Sequence, residues 1–70
     1  DFITPEDVIL AKLMAYRETS SDKHLRDARG VLMTQWGKLD LNAIRRGAMG
    51  ADVVTEFDRL LENVRKHLEP

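Results

Sequence analysis

The sequence predicts an all-α protein that folds as a small bundle of four helices. No stretch alternates apolar and polar residues over the length of a strand, and apolar residues instead recur at helical spacing. Residues that favour helix starts and helix ends divide the 70-residue chain into four segments. No internal repeat or linker-like tract separates these segments, so we expect residues 1–70 to form a single domain.

The first helix is predicted from about Pro5 to Arg17. Thr4 is a good N-cap residue, and Pro5 suits the first helical position because its missing N–H would be unpaired there anyway. Glu6 and Asp7 then place two carboxylates at the positive end of the helix dipole. Residues 18–21 are polar and form the predicted connection to the second helix.

The second helix is predicted to follow Ser21 as its N-cap and to extend to about Trp36. Gly37 is expected to end it, because glycine adopts the left-handed conformation that often terminates a helix.

The third helix is predicted to begin after Asp40 and to reach Met49, with Gly50 as its stop. We expect Asp52 to be the N-cap of a fourth helix that continues to about Leu68.

Apolar residues of all four segments fall on single helical faces and should form one shared core. The predicted core residues are Val8, Ile9, Leu13 and Tyr16 in the first helix, Leu25, Ala28, Val31, Leu32 and Trp36 in the second, Leu41, Ile44 and Ala48 in the third, and Val53, Phe57, Leu60, Leu61, Val64 and Leu68 in the fourth.

A charged residue interrupts the apolar face of the first helix. At about 100° per residue, Lys12 projects within the arc formed by the apolar residues of that helix. One interpretation is that its aliphatic stem lies on apolar neighbours while the ammonium reaches solvent. The other is that this face lines a cleft shared with another domain, where the ammonium meets an anion such as phosphate.

The second helix shows a weaker version of the same pattern. His24 and Gln35 lie inside its apolar arc, and Asp27 lies at the border of that arc. A partly buried helix residue is the more common role for such a histidine. Asp27 could simply pair with an arginine, either Arg26 or Arg29 or one from another helix, but a surface pair of that kind contributes only about 0–1 kcal/mol and would not explain why aspartate is there.

Composition excludes several functional classes. The chain has no cysteine, and its two histidines lack the spacing of a helical zinc site. With 11 Lys and Arg residues against 12 Asp and Glu residues, it has no bulk positive charge for general nucleic-acid binding. No apolar run approaches the length of a membrane span, so we expect a soluble protein without a membrane partner. The absence of cysteine favours a reducing, cytoplasmic location.

Several short motifs follow one another in an order that resembles the C-terminal helical region of bacterial nucleotidyltransferase-like proteins. These proteins are relatives of the abortive-infection nucleotidyltransferase toxins. Thr-Pro-Glu-Asp at 4–7 is followed by Lys12-Leu13, and the pair Arg26-Asp27 lies in the next helix before Leu-Asp-Leu at 39–41. The similarity spans about residues 4–57. After Asp40 it weakens, because this chain has Arg-Arg-Gly-Ala-Met at 45–49 where the family often has a longer apolar segment containing tryptophan.

The resemblance implies an accessory bundle that packs on a preceding α/β catalytic domain of the same protein. That domain would hold the glycine-serine turn and the aspartates that bind magnesium and a nucleoside triphosphate, and these are absent from this chain. The resemblance implies that Lys12, Asp27 and Arg26 bind the nucleotide. It implies no catalytic or metal-binding residue in this chain. Phe2-Ile3 would be the tail of the connection from the catalytic domain, and we expect the chain to belong to a longer protein.

Two other functions remain open from the sequence. A helical protein-interaction module, antitoxin-like or an adaptor without a catalytic role, could use Met14, Tyr16 and Met33 as its binding surface because methionine side chains adapt to varied partners. A helix-turn-helix DNA reader built from the second and third helices is disfavoured by the near-neutral charge, with Arg45-Arg46 as its only basic pair.

Overall fold

The structure, a computed structural model, describes residues 3–68 and contains four helices in that range. They are α1 (Pro5–Thr19), α2 (Asp22–Thr34), α3 (Leu41–Ala51) and α4 (Val54–Leu68). No strand occurs in the described part of the chain, and the prediction of a small all-α bundle is confirmed. Phe2, predicted to lead in from another domain, lies outside the described residues.

The start of α1 agrees with the prediction, and its end lies two residues further along. The Asp7 amide donates to Thr4 Oγ1 at 3.1 Å, so Thr4 is the N-cap. At the other end Ser20 adopts a left-handed conformation with φ of 56°, and its N–H donates to the Tyr16 carbonyl. This local turn ends the helix after Thr19 rather than at the predicted Arg17.

The second helix is shorter than predicted. Ser21 precedes α2 as its N-cap residue, although its hydroxyl makes no capping hydrogen bond. The helix ends at Thr34, and residues 35–38 form turns in which Gly37 has φ of 88°. Trp36 therefore lies in a turn, and Gly37 supplies the left-handed conformation within that turn rather than directly after the helix.

The boundary between α3 and α4 corrects two predictions. Gly50 lies inside α3, and Asp52, predicted as the N-cap of α4, is the left-handed residue after α3 with φ of 61°. The Asp52 N–H donates to the Met49 carbonyl, and the Val53 N–H donates to the Ala48 carbonyl at 2.9 Å. This pair of bonds is the Schellman arrangement, and it satisfies the last carbonyls of α3 with an aspartate where glycine is usual.

The core is made of eleven buried apolar residues drawn from all four helices and from Val53. They are Ile9, Leu13, Ala28, Leu32, Ile44, Ala48, Val53, Phe57, Leu60, Leu61 and Val64. All eleven were predicted as core residues. Leu68 was predicted wrongly, because it is 41% exposed at the end of α4. The remaining predicted residues are only partly buried: Val8, Tyr16, Leu25, Val31, Trp36 and Leu41.

The contacts of α1 define the arrangement of the helices. A two-residue connection turns the chain back, so α1 and α2 pack as an antiparallel hairpin. In contrast, α3 runs parallel to α1: Glu6 contacts the start of α3 and Arg17 contacts its end. Between these two points Leu10 packs directly on Gly47, where a β-carbon would overlap the leucine methyl groups. The fourth helix then packs on α2 and α3.

Glu6 stabilises the start of α3 in a way that depends on pH. The Asp40 N–H donates to Glu6 Oε2 at 2.9 Å, and this bond, together with the backbone amide of Glu6 and the Thr4 hydroxyl, lowers the pKa of Glu6 below its ordinary value. Because the folded-state pKa lies below that of the unfolded chain, the ionised carboxylate stabilises the fold at neutral pH. This contribution disappears as the pH falls through the folded-state pKa.

We therefore expect Glu6→Gln to lower stability at neutral pH and to reduce the loss of stability in acid. Glutamine keeps an oxygen that can accept the Asp40 amide but removes the negative charge. Urea unfolding midpoints measured across the acid range check this, with Glu18→Gln at an exposed position of the same helix as the control. Identical pH profiles for the wild type and Glu6→Gln would contradict the assignment.

Candidate functional site

Lys12 and Asp27 form an ion pair between α1 and α2. The Lys12 Nζ lies 3.3 Å from Asp27 Oδ2, and the two side chains are 36% and 42% exposed. The antiparallel hairpin brings these positions opposite each other, so Asp27 pairs with Lys12 and not with any of the arginines considered as alternative partners. An exposed pair of this kind contributes only about 0–1 kcal/mol to the free energy of unfolding. Its main effect is therefore to position the ammonium group of Lys12.

An open groove of about 640 Å³ surrounds this ion pair, and we call it the Lys12 groove. It runs between the start of α1 and the second half of α2, and Lys12, Asp27 and Arg26 all line it. Gly30, one turn after Arg26, also lines the groove, and a β-carbon there would meet no heavy atom within 4 Å. The structure thus brings the three sequence-predicted site residues to one concave surface, with open space above Gly30.

The charge of the Lys12 groove is positive by one unit, because it has two cations and one carboxylate. Asp27 engages the ammonium of Lys12. Arg26 has no carboxylate within ion-pair distance among residues 3–68, so its guanidinium remains available to an incoming anion. The charges of this groove therefore suit the binding of an anionic group.

A second and larger groove, of about 920 Å³, lies between α2 and α4 beside Tyr16 of α1. We call it the arginine groove because Arg26, Arg29 and Arg59 line it, together with Asp22 and Glu56. Sequence analysis missed this site. The three-residue spacing of Arg26 and Arg29 was a visible signal, but nothing in the sequence indicated that Arg59 of α4 would lie across from them.

His24 and Gln35, which were predicted to lie within the apolar arc of the second helix, have different surroundings. His24 is partly buried, and its Nδ1 is enclosed without a hydrogen-bond partner in the described structure. Gln35 follows the end of α2 and lines the Lys12 groove. Within residues 3–68 no group of three or more His, Cys, Asp or Glu side chains is arranged to hold a metal ion.

The basic pair Arg45-Arg46 is divided between two environments. Arg45 pairs with Asp58 at 2.7 Å, and its guanidinium carbon lies 5.4 Å from the centre of the Phe57 ring. Arg45 therefore links α3 to α4 beside the core, whereas Arg46 is exposed. Only Arg46 of this basic pair therefore lacks a carboxylate partner among residues 3–68.

No described helix has both the length and the apolar character that a membrane span requires. Comparison of the chain with protein-family models, with curated proteins and with solved structures finds no match.

Proposed function

We propose that this chain is an accessory helical domain of a bacterial, cytoplasmic nucleotidyltransferase-like protein. In this proposal the Lys12 groove supports a nucleotide site that a preceding α/β domain completes. The sequence resemblance supports the assignment to this class. The observation that carries the binding role is the ion pair of Lys12 and Asp27 on the wall of a groove that Arg26 also lines.

The three side chains have different parts in binding phosphate. Asp27 holds the ammonium of Lys12 at the groove rather than leaving it to swing freely in solvent. A phosphate oxygen placed beside this pair accepts a hydrogen bond from the ammonium, which has three donors. The guanidinium of Arg26, which has no carboxylate partner in the described range, offers two parallel N–H donors and is the stronger phosphate ligand.

Transfer chemistry would be carried out by the preceding domain. Nucleotidyl transfer requires carboxylates that hold magnesium and a nucleophile aligned with the reacting phosphorus. The residues of the Lys12 groove supply electrostatic support to the triphosphate only. We therefore expect the 70-residue chain alone to have no transferase activity.

The binding role is tested in the protein that includes the preceding domain. Lys12→Ala and Arg26→Ala should each weaken binding of a magnesium–nucleoside triphosphate by about tenfold, the equivalent of ~1.4 kcal/mol per lost charge-assisted bond. The control is Lys66→Ala, since Lys66 also pairs with a carboxylate, Glu62, but lies on α4 outside both grooves. Calorimetric titration measures the affinity, and equal values for all four proteins would contradict the proposal.

Gly30 provides a separate test of the groove itself. Glycine in a helix interior costs about 0.5–1 kcal/mol, and Gly30 and Gly50 both have open space at the β-carbon position. Gly30→Leu and Gly50→Leu should therefore both raise the unfolding midpoint. Only Gly30→Leu should weaken nucleotide binding, because its side chain fills the Lys12 groove. Equal binding by the two stabilised variants would show that the groove is not the site.

The alternative is a helical protein-interaction module of the antitoxin or adaptor type. Its support is the exposure of Met14, at 47%, and of Met49, at 67%. Of the other residues predicted for this surface, Met33 packs against the core and Tyr16 is half-buried. Stable self-association of the isolated chain in sedimentation experiments, abolished by Met14→Gln with Met49→Gln, would favour this function over the nucleotide site.

A further inference from the structure

Three of the described arginines line the arginine groove. Arg26 and Arg29 lie three residues apart on α2 and therefore on one face, and Arg59 of α4 lines the same groove. Of the four other arginines, Arg17 lies 3.1 Å from Asp52 and Arg45 lies 2.7 Å from Asp58, whereas Arg46 and Arg65 have no ion pair within residues 3–68. None of the three groove arginines has a carboxylate within ion-pair distance in the part of the chain that the structure describes.

This lack of pairing is informative because carboxylates are nearby. Asp22 and Glu56 line the same groove, yet neither lies within ion-pair distance of a described arginine. The three guanidinium groups thus retain donors that are free to bind another acceptor. In addition, the Nε of Arg29 is enclosed and makes no hydrogen bond to any described protein atom. A charged donor that lacks an acceptor destabilises the unliganded protein.

We propose that the arginine groove is a binding site for a polyphosphate, formed entirely within this chain. Three guanidinium groups against two carboxylates leave one net positive charge, which attracts a simple monoanion only weakly. A chain of linked phosphates can instead reach arginines on both helices and accept paired hydrogen bonds from each. The Tyr16 hydroxyl and the Asn63 amide are further donors at the same surface.

The size of the groove fits a small molecule. At about 920 Å³ it lies in the range of small-molecule sites, which is roughly 300–1,000 Å³. This site goes beyond the Lys12 groove: Arg26 lines both, but Arg29 and Arg59 line the arginine groove alone. Tests on these two residues therefore leave the proposed nucleotide-supporting site intact.

The probe is inorganic triphosphate, titrated into the 70-residue chain at constant ionic strength while NMR follows the arginine Nε–Hε signals. We expect saturable shifts of Arg29 and Arg59. Arg29→Gln and Arg59→Gln should each weaken binding by about tenfold, and the double variant should bind too weakly to saturate. The matched control is Arg46→Gln, at an exposed arginine outside both grooves, which should bind as the wild type does.

Unfolding midpoints of all variants separate binding from folding. Arg59→Lys is a second variant that keeps the charge but loses the planar pair of donors, and it should bind with intermediate affinity. A parallel titration with ATP tests whether the phosphate chain belongs to a nucleotide or to a free polyphosphate. An additional shift of the Tyr16 ring signals would indicate a nucleotide. Shifts that match those seen with triphosphate would indicate a free polyphosphate. Absence of saturable shifts at Arg29 and Arg59, or an equal loss in Arg46→Gln, would overturn the proposal.

Discussion

Replacing Phe57 by alanine is expected to leave most of the chain unfolded at room temperature. Phe57 is the largest of the fully buried side chains, and it lies in the first turn of α4 with Arg45 of α3 over its ring. Removing a buried phenylalanine costs about 3–5 kcal/mol, whereas the core of a domain below about 70–80 residues rarely supplies more than roughly that amount. Far-ultraviolet circular dichroism with urea titration measures the folded fraction.

Phe57→Leu is the matched control for this variant. Leucine retains most of the buried apolar surface but loses the ring over which Arg45 lies. We expect a cost of about 1–2 kcal/mol, from imperfect packing and the lost cation–π contact, and a chain that remains folded. A cooperative, nearly unchanged unfolding curve for Phe57→Ala would show that the core is not centred on this residue.

Two adjacent residues of α1 should respond very differently to the same substitution. Leu13 is fully buried in the core, whereas Met14 is 47% exposed on the neighbouring face of the helix. Leu13→Ala should cost about 2–5 kcal/mol, because it removes buried methyl groups and leaves a cavity. Met14→Ala should change stability by no more than about 0.5 kcal/mol, as is usual for surface positions.

Thermal and urea unfolding of the two variants make this comparison. The helix propensities of leucine and methionine are close, so the difference between the variants reports burial rather than local helix formation. A large loss for Met14→Ala would mean that this surface is covered in solution, as the protein-interaction function requires. A small loss for Leu13→Ala would contradict the placement of α1 on the core.

The helices and the core were predictable because they depend on short-range patterns. The spacing of apolar residues identified every buried core position, and Thr4 followed by proline and two acids identified the start of α1. The end of α3 was not predictable from such signals. Gly50 and Asp52 each favour a helix boundary, but the Schellman bonds made by Asp52 and Val53 place that boundary after Ala51.

The candidate site was predictable only where it depends on one helix. Lys12 stood out because it interrupts the apolar arc of α1, and that argument needs no tertiary contact. Its pairing with Asp27 depends on the register of the hairpin, which is determined by where α1 ends at the left-handed Ser20. The position of Arg59 opposite Arg29 depends on how α4 packs on α2, a contact between segments distant in sequence.

The contacts of α1 with the two ends of α3 span the same number of residues on each side. Glu6 accepts from the Asp40 amide and Arg17 donates to the Ala51 carbonyl, and both bonds join residues 34 positions apart. Eleven residues therefore separate the contact points on each helix, about 16 Å at roughly 1.5 Å per residue. Inserting one residue within either span would displace one contact by about 100° around the helix axis. Both bonds can therefore form only while the two spans keep equal residue counts, so an insertion in α3 would break one bond, whereas a substitution on its exposed side would leave both in place.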